Sequence, residues 1–455
     1  MIAQSNAGPI PHVAPFHPLP MTSSSARIGL FTTCAIVIAN IIGTGVFTSL
    51  GFQVTDIHSG FALVMLWVVG GIVALCGALC YGELSAALPR SGGEYHLLSA
   101  IYHPALGFMA GFISATVGFS APIALSAMAF GKYAEGVTGL HAAVVLSFIL
   151  VWVNVFVHLR GLKTGSTFQN LSTLLKILLI AALIGAGFFV QPRQPVSLLP
   201  QSGDSGTILS ASFAVALVYV MYAYSGWNAA SYITSEIDRP GRNVPRSLLF
   251  GTLVVLVIYT ALNGIFIVTT PAAEMSGQVE VALIAGRHIF GEQGARVVGA
   301  VICLGLVSAV SSMTWIGPRV LMAMGEDHSL LRRLARQNAQ GIPVSAMLLQ
   351  LFIANLLLLT GSFERVVIYI QFSLLLCSLL TVVGVIVLRA RRPELPRPYR
   401  VWAYPLPPLV FAGVTIWMMI YLLRSHLTES MFGVATMFAG LVLYWFARKP
   451  AFSAA

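Results

Sequence analysis

Charge is what this sequence has least of. Asp, Glu, Lys and Arg together make up 9% of its 455 residues, where a soluble domain carries about 25%. With 57% hydrophobic residues and a mean hydropathy of +0.86, the chain cannot cover itself with an aqueous surface. Cysteine is also sparse: Cys34, Cys76, Cys80, Cys303 and Cys377 all fall in apolar runs. That pattern excludes a disulfide framework and a metal cluster, and the five read as small apolar packing residues. No phosphate-binding loop, zinc-binding helix or nucleophile constellation appears, and the Gly-rich segments lack a strand-to-helix context. The sequence therefore gives no case for an enzyme, a cofactor or a metal. Residues 1–26 lack the short apolar core and cleavage site of a signal peptide. They read as a disordered cytoplasmic tail.

What is present is a series of apolar runs long enough to cross a bilayer. Twelve spans are expected, at 27–56, 60–88, 105–136, 139–159, 168–191, 207–236, 246–270, 293–323, 343–361, 365–388, 403–423 and 429–447. Several exceed about 20 residues, which implies tilt, breaks or extension beyond the membrane. With both termini in the cytoplasm, 18 of the 25 Lys and Arg residues fall on inner segments. Six fall outside (Lys132, Arg193, Arg287, Arg296, Arg365 and Arg424), and Lys176 lies within a span. This is the positive-inside bias, and it accounts for the net charge of +10 without a nucleic-acid partner. The expected location is the plasma membrane, or the inner membrane in a bacterium, with the lipid bilayer as partner.

Two of the runs are interrupted by glycine. The first contains Asn40-Ile41-Ile42-Gly43-Thr44-Gly45-Val46-Phe47, and the second contains Tyr222-Ala223-Tyr224-Ser225-Gly226-Trp227-Asn228. A helix in hydrocarbon loses several kcal/mol for each bare N–H or C=O. Breaks survive where the freed groups line a cavity, and a pair at matching positions points to a midplane binding site. The breaks lie about 182 residues apart, and each precedes four further spans. Residues 27–191 and 207–388 thus read as two five-helix repeats of opposite orientation. A basic, Pro-punctuated loop at 389–402, spans 11 and 12 within 403–447, and a cytoplasmic tail at 448–455 complete the division.

At the first break, the half-helix starting near Thr44 presents free N–H groups and a partial positive charge, which suit a carboxylate. The half-helix ending near Ile41 presents carbonyls, which suit an ammonium group. Gly43 and Gly45 permit unusual dihedrals and close approach. Small residues serve helix packing equally well, and the second break decides for a substrate site. There, Tyr222 and Ser225 end a helical segment just before Gly226 takes the chain out of register. The rings of Tyr222 and Trp227 either shape a pocket or pack in an ordinary way. Asn228 is either a substrate donor or a cap for the next half-helix.

Several segments resemble the amino acid–polyamine–organocation (APC) transporters, in family order from residue 27 to 450. Ile41-Ile42-Gly43-Thr44-Gly45-Val46-Phe47 is similar to their first-helix signature. Cys80-Tyr81-Gly82-Glu83-Leu84 and Ser91-Gly92-Gly93-Glu94-Tyr95 resemble the second helix and the loop after it. The 222–228 segment is similar to the L-type amino acid transporter branch, and Gly317-Pro318-Arg319 and Arg397-Pro398-Tyr399-Arg400 match later signatures. The resemblance implies an all-α polytopic membrane protein of the LeuT-type 5+5 inverted-repeat fold. Helices 1 and 6 would be discontinuous, two helices would be added at the C-terminus, and amino acids would be moved by alternating access.

Lys176 sits about eight residues into the fifth span, about 12 Å deep. It either snorkels to the surface or faces the interior as part of an ion pathway. The resemblance aligns it with the fifth-helix lysine of sodium-independent members, whose ammonium replaces a sodium ion. Ser308, Ser311, Ser312 and Trp315 share one face of the eighth span, and Ser311 or Ser312 is a candidate partner for it. Met313 stands where an L-type transporter usually carries serine, which leaves that partner open. Glu83 and Glu236 read as structural acids pairing with loop arginines. The expected function is sodium-independent transport of L-amino acids, as an exchanger or with protons. A cationic amino acid or polyamine antiporter is the alternative, and no acid near either break supports it. Residues 131–141 contain no cysteine, so no disulfide-linked heavy chain is expected.

Overall fold

The computed structural model describes residues 27–159, 166–192, 194–338 and 341–447, leaving aside the side chains at 166–170 and 323. The expected tails, 1–26 and 448–455, and the basic residues Arg160, Lys163 and Arg193 lie outside the described residues. Among the described residues every regular element is helical. Eight helices are long and apolar enough to cross a membrane, and four shorter apolar ones stand where the remaining expected spans fall.

In chain order they are α1 (Leu30–Ile41), α2 (Gly45–Gln53), α3 (Gly60–Ala87), the short connecting α4 (Gly93–Ile101) and α5 (Pro104–Thr138). Then come α6 (Ala143–Leu159), α7 (Ser166–Gly187), α8 (Ala211–Ala223), α9 (Pro240–Thr269) and α10 (Val281–Asp327). The last four are α11 (Val344–Leu358), α12 (Phe363–Arg391), α13 (Leu406–Ser425) and α14 (Leu427–Ala447). The first expected span is therefore two helices, α1 and α2, parted at residues 42–44.

Irregularities have local causes. α5 carries a π-helical turn at Ser114–Phe119, just ahead of Pro122. Proline lacks an N–H and collides with the carbonyl four residues back, and the wide turn absorbs both defects. α10 is split at Gly291, whose φ of 74° and ψ of −177° no other residue adopts readily. The sixth expected span departs furthest from expectation. The short α-helix Asp204–Ile208 ends at its start, Ala211–Ala223 is α-helical, residues 224–228 form turns, and Ala229–Glu236 is a 3-10 helix distorted at Ile233. Its hydroxyls explain this. Ser231 Oγ donates to the Asn228 carbonyl at 2.7 Å, and Thr234 Oγ1 to the Ser231 carbonyl at 3.1 Å. Such back-bonding competes with the α-helical ladder.

Two packing groups hold the breaks between them. α9 lies along α3 and α1, while α10 lies along α5 and α7. α2 touches both α8 and α10, and α7 touches α9. The core runs continuously through both groups, from Val37 and Ile41 to Tyr259 and Leu306.

Glu83 behaves as the sequence suggests. Arg389 grips it with two bonds of 2.8 and 2.5 Å, Arg397 Nε lies 3.5 Å away, and the Val401 N–H donates at 2.7 Å. One buried carboxylate thus pins the basic loop 389–402 beneath α3. Glu236 differs from expectation: it forms no ion pair among the described residues. Its carbonyl accepts the Ile28 N–H at 2.9 Å, which ties the start of α1 to the end of the 3-10 helix.

Candidate functional site

The two breaks interlock. A Cβ on Gly45 would stand 2.4 Å from Ala223 Cα, and one on Gly226 would stand 2.7 Å from the Asn40 carbonyl oxygen. Each glycine therefore rests on the helix end of the other break. Gly226 also needs its missing side chain for its backbone, since its φ is 97°. Gly43 is different: a Cβ there would meet only the Ile41 oxygen, at 3.8 Å. Its open side faces space.

α2 starts without a side-chain cap. Thr44 is its N-cap, yet the Thr44 hydroxyl pairs with the Tyr222 hydroxyl at 2.8 Å. By helix geometry the N–H groups of Gly45 and Val46 have no acceptor within α2. A partial positive charge and two donors thus converge beside the Thr44–Tyr222 pair, an arrangement suited to a carboxylate.

The carbonyl end of α1 corrects the sequence reading. Those oxygens were expected to be free for an ammonium group, and both are taken by protein. Tyr259 Oη on α9 donates to the Ile41 carbonyl at 2.8 Å, which also accepts the Gly43 N–H at 2.7 Å. Lys176 Nζ on α7 donates to the Ile42 carbonyl at 2.9 Å. The carbonyls of Ile41 and Ile42 thus both have protein donors, as buried carbonyls require. On the second break no described group donates to the Ser225 carbonyl, and Ser225 is half-buried.

Lys176 does not snorkel. It is 4% exposed, and its stem lies against Gly305 of α10, where a Cβ would stand 2.9 Å from Lys176 Cδ. The lysine therefore joins α7, α10 and the first break, with a glycine as its seat on α10. Ser311 Oγ lies 3.0 Å from His158 Nε2 of α6, both buried. Ser312, on the same helix, is half-buried. Gly305, His158 and Tyr259 carry no motif that marks them in sequence.

The remaining candidates divide. Tyr222 is 4% exposed and stacks edge-on with Phe363 at 6.2 Å while its hydroxyl holds Thr44. Trp227 packs edge-on against Tyr81 of α3 at 4.8 Å and Phe411 of α13 at 6.2 Å, over Gly77. Its ring is a packing element between helices. Asn228 precedes the 3-10 helix without capping it through its side chain, and its carbonyl takes the Ser231 hydroxyl.

Below the breaks, Glu94 of α4 is 2% exposed. Its Oε1 accepts from Tyr81 Oη at 2.5 Å and Ser378 Oγ at 2.9 Å. Burial holds its carboxyl above the ordinary carboxylate range, against the pull of those two donors.

Residues 28–444 match the family described as amino acid permease. The large neutral amino acids transporter small subunit 2 of Mus musculus is 27% identical over 440 residues, covering 92% of this chain and 80% of its own length. The protein of that name from Homo sapiens gives the same identity and coverage, 27%, 92% and 80%. The b(0,+)-type amino acid transporter 1 of Rattus norvegicus is 25% identical over 432 residues, covering 93% of this chain and 88% of its own. With the match running from the start of α1 into the last turn of α14, through both breaks, the chain belongs to the amino acid permease family of the APC superfamily.

Proposed function

We propose that this chain is a sodium-independent secondary transporter of L-amino acids. It works by alternating access, as an exchanger or a proton-coupled permease. In this reading the described helices make twelve crossings, arranged as a LeuT-type 5+5 inverted repeat plus two helices, with both termini in the cytoplasm. The observation that carries it is the pair of interlocked breaks, with the uncapped start of α2 on one side and Lys176 bonded to the Ile42 carbonyl on the other. Gly43, Thr44 and Gly45 take the substrate carboxylate, and the Ser225 carbonyl takes its ammonium. Lys176 supplies the fixed positive charge that a sodium ion would otherwise bring to the break.

Neutral side chains fit best. No Asp or Glu occurs between residues 28 and 55 or between 205 and 235, so neither broken segment itself carries a counter-charge for a second cation. The rival reading, a cationic amino acid or polyamine antiporter, needs one. A channel is disfavoured because paired breaks serve rocking between two faces, whereas a channel needs a repeated pore filter. The relatives include a named small subunit. Residues 131–141 of this chain hold no cysteine, and we read it as working without a disulfide-linked heavy chain.

The test is uptake and counterflow in proteoliposomes with each of the twenty amino acids, with and without sodium and a pH gradient. Exchange of neutral amino acids that ignores sodium supports the reading. Strict sodium dependence, or a preference for diamines, overturns it.

A further inference from the structure

A cleft of about 870 Å³ opens at the arginine-rich face, between the start of α1, the first turns of α9 and the loop 389–402. Its size falls within the range of small-ligand pockets, roughly 300–1,000 Å³. Arg239, Arg242 and Arg246 line it, opposite Tyr399 and Trp402. Arg242 and Arg246 are exposed and make no ion pair or side-chain hydrogen bond among the described residues. Arg239 has only the Asp238 carboxylate, at 3.8 Å with both side chains largely exposed.

The cleft continues into an apolar track. Phe250, Leu253, Val254 and Val257 follow Arg246 on one side of α9 and are 51%, 43%, 43% and 60% exposed. From Arg246 to Val257 is about 16 Å along the helix at 1.5 Å per residue. One leaflet of hydrocarbon, half of about 30 Å, has the same depth. Trp402, 61% exposed at the mouth, is of the type that settles at headgroup level. The positive-inside bias explains why arginines lie on this face. It does not explain three of them converging on a cleft that leads into an exposed apolar stripe.

We infer that this cleft binds a phospholipid with an anionic headgroup. Arg239, Arg242 and Arg246 hold the phosphodiester, and an acyl chain lies along Phe250, Leu253, Val254 and Val257. Guanidinium groups suit phosphate because they donate in pairs, and the acyl track separates a lipid from a free phosphate ion. The site stands apart from the breaks and does not depend on what is transported.

The experiment is native mass spectrometry of the full chain in detergent, titrated with dioleoyl phosphatidylglycerol or dioleoyl phosphatidylcholine. Wild type should retain the anionic lipid at least ten-fold more tightly. Arg242→Ala with Arg246→Ala should lose that preference, while Arg332→Ala with Arg333→Ala, exposed arginines outside the cleft, should keep it. Melting in phosphatidylcholine nanodiscs checks that both pairs fold. If the first pair cannot be purified, Arg246→Gln alone should show an intermediate loss. The inference is overturned by equal retention of the two lipids, by an unchanged cleft variant, or by equal loss in the outside pair. Displacement of the lipid by millimolar inorganic phosphate would likewise show an ion site and no lipid site.

Discussion

Lys176 Nζ donates to the Ile42 carbonyl across 2.9 Å, so one buried cation closes the carbonyl end of the first break. A hydrogen bond to a charged group contributes about 1.5–3 kcal/mol, and a charge at such depth is costly unless held. Lys176→Ala removes the cation, bares the carbonyl and empties the seat on Gly305. Exchange in counterflow should slow by at least about ten-fold, with little change in which amino acids compete. A variant with the wild-type rate would show that the ammonium has no part in the cycle.

Tyr259 performs the matching service for Ile41, and Tyr259→Phe isolates it. The ring stays packed edge-on against Trp67 at 5.7 Å and beside Tyr224 at 5.2 Å, and only the 2.8 Å bond is lost. The Ile41 carbonyl keeps the Gly43 N–H, so the cost should stay near 1 kcal/mol, or about five-fold in substrate affinity. Binding measured by isothermal calorimetry reads this directly. An unchanged affinity would mean that the hydroxyl does not help to shape the break.

The location of both breaks was legible because two glycine-broken runs stood at matching positions, where one alone would have read as helix packing. Gly45 and Gly226 proved to be places where the breaks touch, beside the Thr44–Tyr222 hydroxyl pair. Their hydrogen-bond partners were not legible. Tyr259 lies 218 residues from Ile41 and Lys176 lies 134 from Ile42, and no local pattern encodes such pairings. The place of the Trp227 ring was not legible either, because its position at a break says nothing about which side of the turn the ring takes. The 3-10 helix after Asn228 was masked by overall hydropathy, although Ser231, Ile233 and Thr234 carried the signal.

Gly43 and Gly45 should respond differently to the same added methyl. A Cβ at 45 meets Ala223 backbone at 2.4 Å, which cannot yield without parting α2 from α8. At position 43 there is room. Gly45→Ala should abolish uptake and lower the melting temperature, while Gly43→Ala should fold normally and lose at most part of its substrate affinity. Equal behaviour of the two variants in uptake and melting would contradict the interlock.

The open N–H groups at Gly45 and Val46 predict a requirement for a free carboxylate. Amides and esters of a transported amino acid lose the charge-assisted bonds and should compete at least about ten-fold less well. Inhibition of labelled uptake measures it. An amide as effective as its parent acid would move recognition away from the start of α2.

Glu94 makes the pH dependence of stability predictable in sign. Burial on α4 raises its carboxyl above the ordinary 4.5, outweighing the bonds from Tyr81 and Ser378. A raised acid stabilises the fold in its neutral form. That contribution is complete below 4.5 and is lost as pH rises through the folded value. Glu94→Gln keeps the shape and stays neutral, so it should remove this part of the slope. As pH rises above 4.5, wild type should lose melting temperature relative to Glu94→Gln. Tyr81→Phe should steepen the loss, because it withdraws a donor that helps the buried carboxylate once it is charged. Parallel melting curves for wild type and Glu94→Gln would mean that the carboxyl keeps one protonation state throughout.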